Sequence, residues 1–417
     1  TLIVKSCQTF ALSLLKTPMN NPPVTVLMSV YNGARYLGEA IDSILGQTYR
    51  DFEFLIIDDG STDDSVDIIN GYDDPRIRLQ QHSNRGLAES LRQGVIDARG
   101  EYIIRADADD ISYPTRIERQ VNLLQTQTDI GICRTMLDWI DQDGKIFRRN
   151  WDPNDTDDAA RWQILWKNIG SHSSGAFRKK TLIKYGVNYR SHINEFSITN
   201  SIEDYDLWSQ LLPHTKFRII DEPLVQYRAH AASMMQTGKE FRLQQSFAEV
   251  VKDNFSRITI SIPDSVANAI SVLSCQTLTD PVHYQYSPLV GYLHHLENDA
   301  NKLLAANGDQ APNKLRAEKY LTWSRYFLNT SRLYSLKLLA ISVWLAPQSA
   351  LFIRYISLLV ASVMPTTWLK MLTKFRSHIW IALNKFDQVK DRGNHEDNPE
   401  GSLSNPHYSL RQQSPQP

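Results

Sequence analysis

From Val24 onward, short apolar runs alternate with amphipathic stretches. Strands are predicted at Val24–Met28, Phe52–Ile57, Ile77–Leu79 and Tyr102–Ile104, each a compact run of residues that favour extended backbone. Between them Leu37, Ile41, Ile44 and Leu45 recur at helical spacing, and so do Leu87, Leu91 and Val95. Ser61 or Thr62 caps a further helix reaching Ile69, and Pro114 opens one reaching Leu124. This alternation predicts an α/β fold, a mostly parallel sheet flanked by helices. Parallel strands joined by right-handed crossovers end along one sheet edge, where the residues that follow them collect. Those residues are Ser29, Tyr31 and Asn32, then Asp58 and Asp59, then the acids Asp107, Asp109 and Asp110 before the expected turn Ile111–Pro114. Three polar clusters are therefore expected at one crevice.

Beyond about Asp129 the strict alternation fades and aromatic residues appear at Trp151, Trp162 and Trp166. Strands at Gly175–Phe177 and Phe217–Ile220, with a helix from Asp204 to Leu212 between them, close this part near His230. The division expected is an N-terminal extension over 1–22, an α/β domain over 23–240, a helical C-terminal appendage over 241–386 and a disordered tail over 387–417. The apolar stretch Leu333–Met364 is broken by Lys337, Pro347, Gln348 and Arg354, short of the about 20 uninterrupted apolar residues of a bilayer crossing. After Pro365 the residues Trp368, Leu372, Phe375, Ile379, Leu383 and Phe386 share one helical face, opposite Lys370, Lys374 and Lys385. That is the pattern of a helix lying in an anionic membrane surface. The tail from Asp387 has too little apolar area to fold.

The 417 residues, 42% hydrophobic and 22% charged, supply a globular core. A net charge of −1 and a pI near 6.8 provide no overall basic field, so no nucleic-acid partner is expected. Cys7, Cys133 and Cys275 are too few and scattered for a disulfide framework, which favours a reducing compartment. Phe10–Leu15 is short and lacks a small-residue cleavage pattern, which argues against a signal peptide.

Acids placed where a buried strand meets solvent are costly for folding unless they serve a site. Asp107 and Asp109 flank Ala108, so on an extended segment both face one side and suit a hard divalent cation with the phosphates it accompanies. A solvated acidic turn explains the same residues equally well. In Asp58–Asp63 a carboxylate suits the imide N–H of uracil, with Ser29 and Tyr31 beside a planar base. A helix-capping turn is the simpler account of that segment.

The run VTVLMSVYNGARYLGEAIDSILGQTYRDFEFLIIDDGSTDDS, then GEYIIRADADDISYP, then SIEDYDLW, resembles glycosyltransferase family 2 over about Pro23 to His230. The resemblance implies a GT-A fold and inverting transfer from a nucleotide-sugar donor, with UDP-sugars favoured. It implies that Ser29, Tyr31 and Asp59 hold the base. Asp107 and Asp109 occupy the D-x-D positions, Asp109 as metal ligand and Asp107 toward ribose or metal, the metal being Mn2+ or Mg2+. His230 resembles a histidine that reaches the metal or diphosphate, although a histidine at a strand end is more often structural. Asp204, in the acidic pair Glu203–Asp204, takes the position of the catalytic base, where the resemblance outweighs a plain helix-dipole acid. Asp206 has no implied role. His172–Gly175 and Arg178 resemble an acceptor-side segment, with strand packing an equal explanation, and Trp208 fits a core position better than a sugar platform.

The expected function is a metal-dependent inverting glycosyltransferase at the cytoplasmic face of a membrane, its acceptor a glycan or lipid-linked glycan of surface polysaccharide synthesis. A nucleotidyltransferase would share the sheet and the acids, but Asn32-Gly33-Ala34-Arg35 is a poor phosphate loop. A silent sugar-nucleotide binder would lack one of the acids, and all are present.

Overall fold

The structure, a computed structural model, describes residues 22–150, 157–190, 192–193, 196–197, 202–230, 240–275, 287–306, 313–327 and 332–345, all within one compact unit. Trp151, the amphipathic stretch 368–386, the tail and, apart from its last residue, the N-terminal extension lie outside the described residues. The elements in chain order are β1 (Val24–Val30), α1 (Ala34–Leu45), β2 (Phe52–Asp58), α2 (Ser65–Asn70), β3 (Ile77–Gln81), α3 (Leu87–Asp97), β4 (Tyr102–Asp107) and β5 (Ile111–Ser112). Then come α4 (Arg116–Thr126), β6 (Ile130–Ile140), β7 (Ile146–Asn150), α5 (Asp157–Gln163), β8 (Gly175–Arg178), α6 (Lys179–Tyr185), β9 (His192–Ile193), β10 (Phe196–Ser197), α7 (Glu203–Leu211) and β11 (Lys216–Arg228). Among the described residues five helices follow: α8 (Glu240–Arg257), α9 (Asp264–Cys275), α10 (Ser287–Ala306), α11 (Asn313–Phe327) and α12 (Arg332–Leu345).

Nine strands form one sheet in the order β3-β2-β1-β4-β8-β6-β11-β5, with β7 paired to β6. Strands β3, β2, β1 and β4 run parallel, as do β6 and β11, while β8 runs antiparallel between β4 and β6. Alternation along each strand sends Val24, Val26, Met28, Phe54, Ile56 and Ile104 to one face. There they pack with Leu37 and Ile41 of α1 and Ile117, Val121 and Leu124 of α4. The other face carries Leu27 and Ile57, on which α3 closes so tightly that a Cβ at Gly94 would lie 2.4 Å from a Leu27 methyl.

Several details depart from expectation. The turn foreseen at Ile111–Pro114 contains β5, which pairs antiparallel with Val225 and Gln226 of β11, and α4 starts at Arg116 rather than Pro114. Strand β6 spans eleven residues where alternation fades, because it is buried on both faces and so needs no polar side. No helix among the described residues is long and apolar enough to cross a membrane. The helical appendage meets the sheet domain at Lys319 of α11, whose ammonium is buried against the ring faces of Trp162, Trp166 and Trp323.

At the edge where the parallel strands begin, Glu53 is buried and satisfied. Its carboxylate accepts the Thr25 hydroxyl at 2.6 Å, the Arg99 amide at 2.5 Å and Arg78 Nη2 at 3.0 Å. The Gly100 amide donates to the Thr25 hydroxyl at 2.9 Å, which draws the chain so close that a Cβ there would lie 2.4 Å from the Thr25 nitrogen. Backbone on both sides leaves nothing to yield. Gly100→Ala is therefore expected to cost about 2 kcal/mol or more, read as a lower urea midpoint; an unchanged midpoint would show that the approach is looser than described.

Candidate active site

The crevice forms where β1, β2 and β4 end. Ser29 lies within β1, not beyond it, directly beside Asp107 of β4. Tyr31 follows, 52% exposed, and Asn32 adopts φ 51°, turning the chain into α1. The loops after β1 and β2 are stitched together. Thr62 N donates to Asn32 Oδ1 at 2.8 Å, Asn32 N to Ser61 Oγ at 3.0 Å, Gly33 N to Ser65 Oγ at 3.0 Å and Ala34 N to Asp63 Oδ2 at 3.0 Å. Asp59 joins the edge through its amide, which donates to the Val30 carbonyl. Its carboxylate turns to the next loop, accepting the amides of Arg85 at 2.8 Å and Gly86 at 2.9 Å, with His82 Nδ1 at 3.3 Å. Oδ2, which accepts the Gly86 amide, keeps a lone pair for another donor.

The acids after β4 do not lie on one extended segment. Asp107 is the last residue of β4 and shares a face with Arg105, whose Nη2 donates to Asp107 Oδ1 at 2.5 Å. The chain turns at Ala108 and Asp109, and Asp109 meets His230, Oδ2 to Nε2 at 2.9 Å. The Asp109 carboxyl is raised by burial and then by Asp107. Asp110 is fully buried and accepts the Arg228 amide at 2.9 Å; burial, then Asp109 and Asp107, push its carboxyl well up. Among the described residues no three His, Cys, Asp or Glu side chains gather as a metal site. Of the expected ligands, Asp109 and His230 come together, and Asp107 is held by Arg105.

Three buried guanidiniums support this corner. Arg105 Nη1 donates to the carbonyls of Leu27, at 3.2 Å, and Ala106. Arg116 Nη2 donates to the Arg105 carbonyl at 2.5 Å and Nη1 to Ser112 Oγ at 2.9 Å; burial lowers its pKa to about 10 against the opposing pull of Asp110 and Asp107. Arg228 spans the Asp109 carbonyl at 2.9 Å, the Gln142 carbonyl at 3.2 Å and Glu39 of α1 at 2.7 Å, its plane 4.4 Å from the Tyr36 ring centroid. Sequence reasoning missed all three. The available signals were an arginine inside the apolar run of β4 and one two residues before His230.

Across the crevice, α7 begins with Glu203 and Asp204, both buried. Asp204 accepts the Tyr205 amide at 2.7 Å and Asn168 Nδ2 at 2.8 Å, and burial followed by the charge of Glu203 pushes it up to about 7. Glu203, also pushed up to about 7 chiefly by burial, lies 3.2 Å from His172 Nδ1. His172 is pulled down to about 4 by burial and then by Arg105, so the ring is neutral, with Nε2 2.6 Å from the Tyr189 hydroxyl. The Tyr227 phenol is pushed up by burial, then by Asp110, Asp107, Asp109 and Asp204, so the acids of both walls act on one group.

Other expectations sort by position. Trp208 is a core residue, set against His172, Phe177 and Gly175, where a Cβ would lie 2.9 Å from its ring. Asp206 faces away from the crevice and pairs with Arg190, which also bonds Asp253 at 3.0 Å. Ser173 and Ser174 are fully buried. Arg178 lies at the opposite sheet edge, beside Tyr102, because β8 runs antiparallel.

The chain matches the profile described as Glycosyl transferase family 2 over residues 25–186. It is 39% identical over 282 residues to the putative glycosyltransferase EpsE of Bacillus subtilis, covering 65% of this chain and 89% of that one. The chain belongs to glycosyltransferase family 2. The enzyme is also 30% identical over 222 residues to the O-antigen biosynthesis glycosyltransferase WbnJ of Escherichia coli, covering 51% of this chain and 82% of that one. It superposes on S. aureus TarS 1–349 in complex with UDP-GlcNAc with a TM-score of 0.50 at 15% identity, covering 78% of this chain and 93% of the other. That likeness, with the sheet order above, gives the glycosyltransferase the GT-A fold expected.

Because burial raises the Asp204 carboxyl to about 7, the folded chain keeps a proton that the unfolded chain releases near 4. This group's contribution to stability is full below the unfolded value and is lost as pH rises through the folded one. Asp204→Asn removes that loss, so its melting temperature is expected to exceed wild type by several degrees at about pH 8 and to match it at about pH 4. Equal differences at both values would show that Asp204 is solvated.

Proposed function

We propose that the enzyme is a metal-dependent inverting glycosyltransferase, moving a sugar from a nucleotide-sugar donor, with UDP-sugars favoured, to a glycan or lipid-linked glycan acceptor. The observation that carries this reading is Asp204: a buried carboxyl, raised to about 7 and oriented by Asn168 and the Tyr205 amide, across from the acids that follow β4. A base tuned near neutral pH takes a hydroxyl proton efficiently while remaining deprotonated. Set on the face of the sugar opposite the leaving diphosphate, Asp204 accepts the acceptor's proton as the new bond to the anomeric carbon forms, which inverts that centre. Glu203, His172 and Tyr189 hold the start of α7 in place.

On the donor side Tyr31 offers an exposed ring to the base and Ser29 a hydroxyl at the sheet edge. Asp59 offers an Oδ2 lone pair to an imide N–H while its amide partners hold it still. Asp109 and His230, at 2.9 Å, form the nucleus of a site for Mn2+ or Mg2+, with Asp107 contributing the oxygen that Arg105 leaves open or turning to the ribose. The fit rests on charge: Asp109 sits raised by burial and by Asp107, a cost that a divalent cation offsets. Such an ion supplies charge stabilisation for the departing nucleoside diphosphate. TarS, whose complex holds UDP-GlcNAc, supports a nucleotide-sugar donor, and WbnJ, an O-antigen biosynthesis glycosyltransferase, supports polysaccharide synthesis as the setting.

The amphipathic stretch 368–386 supports peripheral attachment to the cytoplasmic face of the membrane, where a lipid-linked acceptor would be met. A chain ending at Pro365 is expected to lose most of its partition onto anionic vesicles in flotation; equal flotation of both chains would remove this part of the reading.

With a productive nucleotide sugar, Asp204→Asn is expected to lower kcat by about 10²–10⁴ while the donor still raises the melting temperature. Wild-type kcat/KM should fall about tenfold per pH unit below about 7, since the proton on Asp204 must leave first. Chelation of divalent cations should stop turnover, and the nucleotide product should be a diphosphate, with no pyrophosphate released. Transfer by Asp204→Asn at the wild-type rate would rule out the assignment of the base.

A further inference from the structure

At the opposite end of the sheet, Arg178 of β8 and the start of β11 border a second cleft of about 660 Å3. Arg161, Arg178, Lys180, Lys184 and Lys216 line it, and Asp129 is the one carboxylate among its lining residues. Three of these cations are fixed. Arg178 bonds Glu101 at 3.2 Å and the Ile130 carbonyl at 3.3 Å, Arg161 bonds Asp157 at 3.0 Å and the Thr215 carbonyl at 2.8 Å, and Lys216 pairs with Asp129 at 2.9 Å. The other two are not. Lys180 is 67% exposed and comes no nearer Glu101 than 3.9 Å, and Lys184 rests 4.7 Å from the Tyr185 ring with no carboxylate partner among the described residues. Five cations thus face three carboxylates, leaving two positive charges at the mouth of a concave site, where low-dielectric walls focus the field on an anion.

The rim is amphiphilic. On α6, Lys180, Ile183 and Lys184 are three and four residues apart and share a face. Ile183 is 70% exposed between those lysines, and Tyr185, 39% exposed, stacks on His214 at 4.1 Å between ring centroids. Ammonium groups around an apolar side chain held out in water match the boundary between phosphate headgroups and acyl chains. The five strand steps from Tyr102, beside Arg178, to Asp107 separate the cleft from the donor crevice by about 17 Å, so a ligand in one does not displace a ligand in the other.

We propose that this basic cleft binds a phosphate group, presented by an anionic lipid headgroup or carried by a small soluble phosphate. The proposal stands apart from the assignment of donor and base. It is tested on the full-length chain with Lys180→Glu/Lys184→Glu, two exposed positions, and with Lys180→Gln/Lys184→Gln as the milder pair. Flotation with phosphatidylcholine vesicles, with and without phosphatidylglycerol, reads the lipid source, and calorimetric titration with inorganic phosphate reads the soluble one. Wild type is expected to prefer vesicles containing phosphatidylglycerol, and the glutamate pair to bind them about tenfold more weakly or worse, the glutamine pair falling between. A phosphate heat lost in the variants with vesicle binding unchanged supports the cleft with a soluble ligand; vesicle binding lost without a phosphate heat in any form supports it with a lipid. Equal behaviour of all three proteins toward both probes overturns it. Thermal unfolding checks that the variants fold, and donor turnover is expected to be unchanged; absence of turnover in wild type would count against the transfer reading and leave the cleft untouched.

Discussion

Buried guanidinium groups hold the acidic corner of this enzyme together. Carboxylates concentrated at the end of a sheet repel one another and lose hydration, a cost of several kcal/mol per buried charge without compensation. Arg105, with no exposure to solvent, fixes Asp107 from beneath, and Arg116 fixes the carbonyl of Arg105 in turn. Arg228 grips the backbone at Asp109, while its own amide donates to Asp110 Oδ1. A planar fork of donors suits this work, since the one side chain of Arg228 reaches two carbonyls and a carboxylate on three different segments. The acids can therefore face an open crevice without the turn that carries them unravelling.

The two walls of the crevice are tuned differently. On the α7 side no arginine among the described residues bonds Asp204; an amide and an asparagine hold it, and burial keeps its proton affinity near neutrality. On the β4 side cations and amides are supplied freely, and the raised affinity of Asp109 follows from its acidic neighbour as well as from burial. In the proposed mechanism, environment rather than residue type divides the aspartates between proton transfer and charge binding.

The period-two and period-3.6 patterns made the first half legible, because β1 to β4 and their helices are local in sequence and one-sided in packing. What escaped was what depends on distant pairing. Strand β5 has two residues and exists because Gln226 and Val225 lie opposite it. Strand β8 is four residues long, and its antiparallel direction, which carries Arg178 away from the acids, follows from its two neighbours rather than from anything local. In the site, acidic motifs announced themselves and their supports did not. Arg105 falls just past the apolar run Tyr102–Ile104, and the engagement of Asp59 with the loop at Arg85 and Gly86 has no short sequence signature.

Helix α7 is clasped from outside the sheet. Arg190 bridges Asp206 to Asp253 of α8, Tyr205 stacks on Phe247 at 4.6 Å, and Asn254 donates to the Tyr205 hydroxyl at 3.2 Å. The residue next to the proposed base is thus half of a joint whose other half comes 42 to 49 positions later in the chain. Cutting the protein after β11 would strip that joint and leave the crevice wall to drift, so the smallest autonomous catalytic piece extends well past the stretch that carries the family's motifs.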